Sequence, residues 1–330
     1  MHTADSERYN KLDYVRCGKS GLKLPPLSLG LWHNFGQEDD YEKSKKIVLT
    51  AFDNGITHFD LANNYGPPPG AAEQRFGKIL REELGRYRDE IVVSTKAGHP
   101  MWDGPYGNWG SKKHLKASLD QSLERLGLDY VDIFYTHRPD PETPIEETIQ
   151  AVSDSVKAGK ALYPGISKYK IEGTVKALEL FEELGTPLLV HQINYSMLDR
   201  TPENLRLWEI LKAKGKGAVV FSPLAQGLLT DKYLNGIPEG SRAAREGTFL
   251  SRDKITPELL EKIKKLNKLA RQRSQTLAQM ALQWATRDDC VCSAIVGASR
   301  PEQILDSLKF KKAEPFSDEE LNKIENILSD

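Results

Sequence analysis

Three cysteines in 330 residues are too few for a disulfide framework. Cys290 and Cys292 stand one residue apart on what reads as a strand, with no second ligand pair nearby. Buried thiols are expected there, and no metal centre. An excess of either charge is lacking too: 46 Lys and Arg face 47 Asp and Glu, for a net charge of −1. That balance offers no field to nucleic acid or to an anionic membrane. No apolar run reaches the ~20 residues of a membrane span. The opening MHTADSERYN has no apolar segment of a secretion signal. Glycine (25) and proline (18) punctuate the chain without forming low-complexity tracts. What is present is a 39 % hydrophobic and 28 % charged composition, enough to bury a large core. These features predict a cytoplasmic globular protein with no nucleic-acid or membrane partner. Self-association into a homo-oligomer is left open.

Short apolar runs alternate with helical patterns. The runs are LSLGLW (27–32), ITHFDLA (56–62), IVVSTKAG (91–98), YVDIFYTH (130–137), ALYPGIS (161–167), LLVHQINY (188–195), AVVFSPLA (218–225) and CSAIVGAS (292–299). Several are apolar at nearly every position, as parallel strands covered on both faces require. Leu115, Leu119, Leu123 and Leu126 repeat at helical spacing and stop at Gly127, a C′ residue. Ile145, Ile149, Val152 and Val156 do the same behind Thr143-Pro144-Ile145-Glu146, which reads as a capping box with Pro at the first helical position. Ser317-Asp318-Glu319-Glu320 opens a last helix in the same way, and 261–273 reads as a solvated helix face. Eight strand–helix units without a linker predict one α/β domain over 1–330, a (β/α)8 TIM barrel. A doubly wound sheet is disfavoured because the first strand–helix turn lacks G-x-G-x-x-G. An N-terminal extension (1–26), a long loop after strand seven (226–255) and an extra C-terminal helix account for the length beyond a ~250-residue barrel.

In such a barrel the C-terminal strand ends converge on one mouth. They read Asp60, Lys96, His137, Ser167, Gln192 with Asn194, Ser222, and Ser299 with Arg300. A buried ion pair would account for Asp60 and Lys96 but not for His137, nor for Tyr65 five residues beyond Asp60. Together the four form a proton-transfer group. A phenol titrates near ~10, and an adjacent ammonium lowers that value. A carboxylate keeps the ammonium charged, and an imidazole positions a carbonyl oxygen. His58 and His191 lie within strands and read as satisfied core histidines.

The motifs GITHFDLANNYG (55–66), STKAG (94–98), LGLDYVDIFYTHRPD (126–140), GISKY (165–169), SPLAQGLLT (222–230) and GASRPEQI (297–304) follow one another along the chain. In this order they resemble the aldo-keto reductases. LSLGLWHNFG (27–36) and NNYGPPPGAAE (63–73) resemble its bacterial L-glyceraldehyde 3-phosphate reductase subgroup, related to the β subunits of voltage-gated potassium channels. The resemblance implies NADPH-dependent reduction of small aldehydes of the L-glyceraldehyde 3-phosphate and methylglyoxal class. Tyr65 would be the general acid, tuned by Lys96 and Asp60, with His137 orienting the carbonyl. It implies that NADPH/NADP+ is held by Trp32, Asp60, Ser167, Gln192, Phe221, Ser222, Leu224, Gln226 and Gly227. Lys232 and Arg242 on the long loop, and Gly297, Ser299, Arg300 and Gln303 at the last strand–helix junction, complete that set. Phe221 equally suits a buried packing position. Lys168 and Ser307 depart from the family pattern. Trp32, His33, Tyr65, Trp102 and His137 would line the substrate mouth, and no metal is implied. Two alternatives remain: a cofactor-holding regulatory subunit with slow or no turnover, like the channel proteins, and a Schiff-base aldolase using Lys96. His137 favours the reductase over the first, and the cofactor loop would have no role in the second.

Overall fold

The computed structural model describes residues 1–234, 236–239, 242–244 and 250–329. A short antiparallel ladder of β1 (Val15–Arg16) and β2 (Lys23–Leu24) precedes the barrel. The barrel strands are β3 (Leu27–Gly30), β4 (His58–Asp60), β5 (Val92–Ala97), β6 (Val131–Thr136), β7 (Ala161–Ser167), β8 (Val190–Asn194), β9 (Gly217–Phe221) and β10 (Val291–Val296). They are all parallel, pair in chain order, and close where β10 meets β3. Each predicted run therefore corresponds to one strand: β7 fills its run, β9 and β10 start one residue earlier, and the other strands are shorter than theirs. The fold is a (β/α)8 barrel, as the alternation of elements predicts.

The helices are α1 (Tyr41–Asp53), α2 (Ala71–Ile79), α3 (Lys112–Leu126), α4 (Ile145–Lys157), α5 (Ile171–Glu183), α6 (Thr201–Asn204), α7 (Leu207–Ala213), α8 (Pro257–Gln272), α9 (Leu277–Ala285), α10 (Pro301–Leu308) and α11 (Asp318–Ser329). Helix α3 starts at Ser111, whose side chain accepts the His114 amide, and ends on Gly127 at φ +68°. Its four periodic leucines are all buried. Helix α11 has the expected capping box: Ser317 N–H donates to Glu320 at 2.9 Å, and Glu320 N–H donates to Ser317 Oγ at 3.2 Å. The box predicted before α4 does not form. Pro144 is itself the N-cap and offers no side-chain bond. The Asp140 carboxylate instead accepts the amides of Glu142, Thr143 and Gly110, so the turn is satisfied from upstream.

Strand alternation divides the side chains between two cores. Phe59, Val93 and Phe134 face the helices, with Phe59 and Phe76 of α2 at 5.0 Å between ring centres. Glu73 of α2, fully buried, accepts Thr95 Oγ1–H from β5 and pairs with Arg125 Nε of α3 at 2.8 Å. That pair clamps two helices to the strand that carries Lys96. The inner core holds Ile133, Tyr135, Val190, Val219 and Ile295, closed by Cys17 and Leu24 of the N-terminal extension. Cys17, Cys290 and Cys292 are buried and unlinked. Among the described residues no helix is long and apolar enough to cross a membrane.

The interior leaves no room at Gly165, where a Cβ would lie 2.4 Å from the Tyr135 ring. Overfilling a packed core costs about 1–3 kcal/mol. Gly165→Ala is expected to lower stability by that amount in urea denaturation. An unchanged midpoint would mean that Tyr135 has space to move.

Candidate active site

Three strand ends and one loop bring Asp60, Lys96, His137 and Tyr65 together. Asp60 ends β4, Lys96 lies in β5, and His137 follows β6. Tyr65 comes from the turn between β4 and α2. Lys96 Nζ donates to Asp60 Oδ2 at 2.6 Å and to the Leu61 carbonyl, and lies 3.4 Å from Tyr65 Oη. Lys96 and Asp60 are almost wholly buried. Asp60 Oδ1 accepts Ser94 Oγ–H and Gln192 Nε2–H, each at 2.8 Å. The carboxylate thus receives three donors, two from β5 and one from β8. The His137 ring stands edge-on to Tyr65 at 5.9 Å, and its backbone N–H donates to Ala97 O at 2.8 Å.

Burial and charge set the protonation states. Desolvation pulls the Lys96 ammonium down, but Asp60 and Tyr65 outweigh it and hold it above the usual lysine value. Tyr65 moves up from the ordinary phenol value because desolvation outweighs the lowering by Lys96. The expected net lowering of Tyr65 is therefore corrected: the ammonium only offsets part of the cost of burial. His137 is held well below the usual histidine range by desolvation, then by Lys96, Lys168, His99 and Arg138. The site presents a protonated phenol and a neutral imidazole at neutral pH.

Around them lies a cationic mouth that sequence reading captured only in part. His99 stacks edge-on to His137 at 4.4 Å and is pushed down to about 4 by desolvation and by Lys168 and Arg138. Arg138 donates to Gly98 O at 2.9 Å and to Asn108 Oδ1 at 2.8 Å, with its guanidinium 3.6 Å from the Trp109 ring centre. Lys168, at φ +63°, is exposed along much of its length, yet its ammonium sits 5.7 Å above the Phe221 ring. Lost hydration, with repulsion from Lys96 and Arg138, pushes it down to about 8. A histidine two residues past a strand gives no sequence signal of such a role, and Lys168 looked like a simple departure from pattern.

The other expected positions divide into groups. Trp32 lies 6.1 Å from Tyr65 and 4.3 Å from His33, so both are at the mouth. Trp102 packs on His114 of α3 at 5.0 Å. Ser167 Oγ is fully buried without a hydrogen-bond partner, as are both polar atoms of the Asn63 amide. Such orphaned atoms are costly unless a ligand pairs them. Beyond Phe221 the backbone turns tightly: Ser222, Ala225 and Gln226 have φ of +56°, +46° and +59°, and Gly227 follows at +94°. Strain of this kind gathers at ligand sites. Gln226 Nε2 donates to Ser222 Oγ at 3.2 Å, and Leu224 O accepts Gly227 N–H at 2.9 Å. Lys232 lies on the same loop, whereas the side chain of Arg242 lies outside the described residues. At the β10–α10 junction Ser299 N–H donates to Gln303 Oε1 at 2.7 Å, after Gly297, and Arg300 is the exposed N-cap before Pro301. Asp306, one turn along α10, is engaged by Gln279 and Lys309. His58 is satisfied by serines, but neither ring nitrogen of His191 has a partner, which corrects the expectation for that residue.

Residues 26–329 match the Aldo/keto reductase family. The L-glyceraldehyde 3-phosphate reductase of Escherichia coli O157:H7 is 54 % identical over 330 residues, covering 99 % of this chain and 95 % of that one. A Schizosaccharomyces pombe chain named for the voltage-gated potassium channel β subunit is 37 % identical over 324 residues, covering 94 % and 92 %. Among solved structures, an aldo-keto reductase from Bacillus halodurans in its holo form superposes with a TM-score of 0.75 at 28 % identity, over 96 % of both chains. The chain belongs to the Aldo/keto reductase family and is an oxidoreductase.

Proposed function

We propose that the protein reduces short polar aldehydes and α-dicarbonyls, L-glyceraldehyde 3-phosphate and methylglyoxal among them, with NADPH in the cytoplasm. The observation that carries this reading is a buried Lys96 ammonium held by Asp60 at 2.6 Å and set 3.4 Å from the Tyr65 hydroxyl. NADPH, when bound, supplies the hydride that no side chain can provide. The substrate carbonyl enters between Tyr65, His137 and Trp32. Neutral His137 donates a hydrogen bond that orients the carbonyl oxygen. Tyr65 gives its proton to that oxygen as negative charge develops, and Lys96 stabilises the resulting phenolate. Asp60 keeps Lys96 protonated throughout. The cations at the mouth favour an anionic ester such as a three-carbon phosphate.

The orphaned Ser167 hydroxyl and the Gln192 amide, already tied to Asp60, suit the nicotinamide carboxamide, with Phe221 against the ring. The strained turn from Ser222 to Gly227 suits the pyrophosphate, with Leu224 in the turn and Lys232 further along the loop. The N-terminus of α10 suits the adenosine 2′-phosphate, through its dipole, Ser299 and Arg300. Gln303 fastens Ser299 there, and Asp306 is held by other partners.

Tyr65→Phe is expected to cut kcat at least ~10²-fold while NADPH affinity stays near that of the parent. Reduction of methylglyoxal at the parent rate would refute the acid assignment. His137→Asn is expected to slow reduction and keep the fold, read by circular dichroism. A charge-assisted hydrogen bond is worth about 1.5–3 kcal/mol, roughly tenfold or more in binding. Arg300→Ala should therefore weaken NADPH much more than NADH in titration. Equal affinity of the parent for the two cofactors would contradict the reading of this junction.

A further inference from the structure

Beneath the site a line of small polar side chains runs through the barrel interior, and no step above uses it. It starts at Asp60 Oδ1, which accepts Ser94 Oγ–H at 2.8 Å. Ser94 Oγ lies 2.9 Å from His58 Nε2. His58 Nδ1 lies 2.7 Å from Ser28 Oγ, and Ser28 Oγ lies 2.6 Å from Ser293 Oγ. The residues come from β10, β3, β4 and β5, four consecutive barrel strands. Ser28, His58, Ser94 and Ser293 have no solvent exposure at all, and Asp60 has 2 %.

The carboxylate dictates the direction of every bond in this line. An ionised carboxylate only accepts, so the single Ser94 hydroxyl hydrogen is directed at Asp60. Ser94 Oγ must then accept, and the hydrogen between Ser94 and His58 belongs to Nε2. Burial, with Lys96 nearby and Asp60 opposing it, pushes His58 down to about 4, so the ring is neutral. A neutral ring protonated at Nε2 leaves Nδ1 as an acceptor. Nδ1 takes the Ser28 hydroxyl hydrogen, and Ser28 Oγ in turn accepts from Ser293. Four donors in series point toward one anion, an arrangement in which each bond polarises the next.

We propose that His58 is a positioning residue for the reduction: as the neutral Nε2–H tautomer it locks the Ser94 hydroxyl on Asp60, and through Asp60 it fixes the Lys96 ammonium beside Tyr65. This rests on Tyr65 being the proton donor. His191 supplies the contrast: it is equally buried, with neither ring nitrogen bonded. The titratable and charged groups facing the cluster are Asp60, Lys96, Tyr65, His137 and Tyr135, with Lys168 and His99 toward the mouth and Cys17 and Cys292 behind Tyr135.

Nitrogen-15 NMR of the full chain carrying labelled histidine reads the tautomer without reference to activity. The expected His58 signals are a protonated Nε2 and a bare Nδ1. A protonated Nδ1 would overturn the proposal, however Tyr65 variants behave. In kinetics, His58→Leu should lower kcat for aldehyde reduction about fivefold, the effect of about one lost hydrogen bond between neutral groups. Its alkaline limb should move to higher pH. Without the His58 N–H the Ser94 hydroxyl is free to turn away from Asp60, and a carboxylate that loses this donor draws Lys96 closer and leaves the Tyr65 phenol with less cationic help. His58→Gln offers Ser94 an N–H again and should recover most of the rate. His191→Leu should lower Tm and keep the parent kcat and pH limb. A folded His58→Leu with the parent kcat and limb would contradict the proposal, as would a folded His58→Gln no faster than His58→Leu. Should His58→Leu not fold, the tautomer and the His58→Gln rate still decide the matter.

Discussion

The structure turns on the ion pair between Lys96 and Asp60. Taking two charges out of water costs several kcal/mol for each ion, and mutual attraction repays this only when geometry and further hydrogen bonds are good. Here the ammonium also reaches the Leu61 carbonyl, and the carboxylate also receives Ser94 and Gln192. These partners sit on β4, β5 and β8 or just beyond β4, so the pair is satisfied only once the barrel has closed. The outer clamp of Glu73, Arg125 and Thr95 works on the same stretch of β5 from the helix side. Thr95 and Lys96 are neighbours facing opposite cores, so fixing one fixes the other.

Burial, together with this pair, sets the protonation states of the groups around it. A phenol and an imidazole, both buried beside a permanent cation, stay neutral through the physiological range. On the proposed reading, the proton that a carbonyl oxygen needs is stored on Tyr65, and the cation that would stabilise its loss is already in place. This is preorganisation: little has to reorient when charge develops. Burial first, then the same cation with Lys168 and Arg138, keeps His99 and His137 uncharged, and the three cations make the mouth attractive to anions.

Much of this was legible in the sequence because barrels impose strict rules. Parallel strands covered on both faces read as apolar runs, and their polar C-terminal ends stood out against that background. Asp60, Lys96 and His137 were found in this way, and Tyr65 by its place in the turn that follows Asp60. The less legible parts depend on contacts between distant segments. The cap before α4 failed because Asp140, outside the four-residue pattern, takes the amides first. The direction of the Tyr65 shift needed the degree of burial, which spacing does not give. His58 read as a core histidine and is one, yet its bonds to Ser28 and Ser94 join residues that are 30 and 36 positions away. His99 and Lys168 reach the mouth only through loop geometry, with Lys168 in a left-handed backbone conformation that its sequence neighbours do not announce.

The most direct test of the account follows reduced-nicotinamide absorbance after the purified protein is mixed with NADPH and L-glyceraldehyde 3-phosphate. The account predicts continuous loss of absorbance over many turnovers, with one alcohol formed for each NADPH consumed. Tight binding of NADPH without its consumption, with this aldehyde and with methylglyoxal alike, would contradict it.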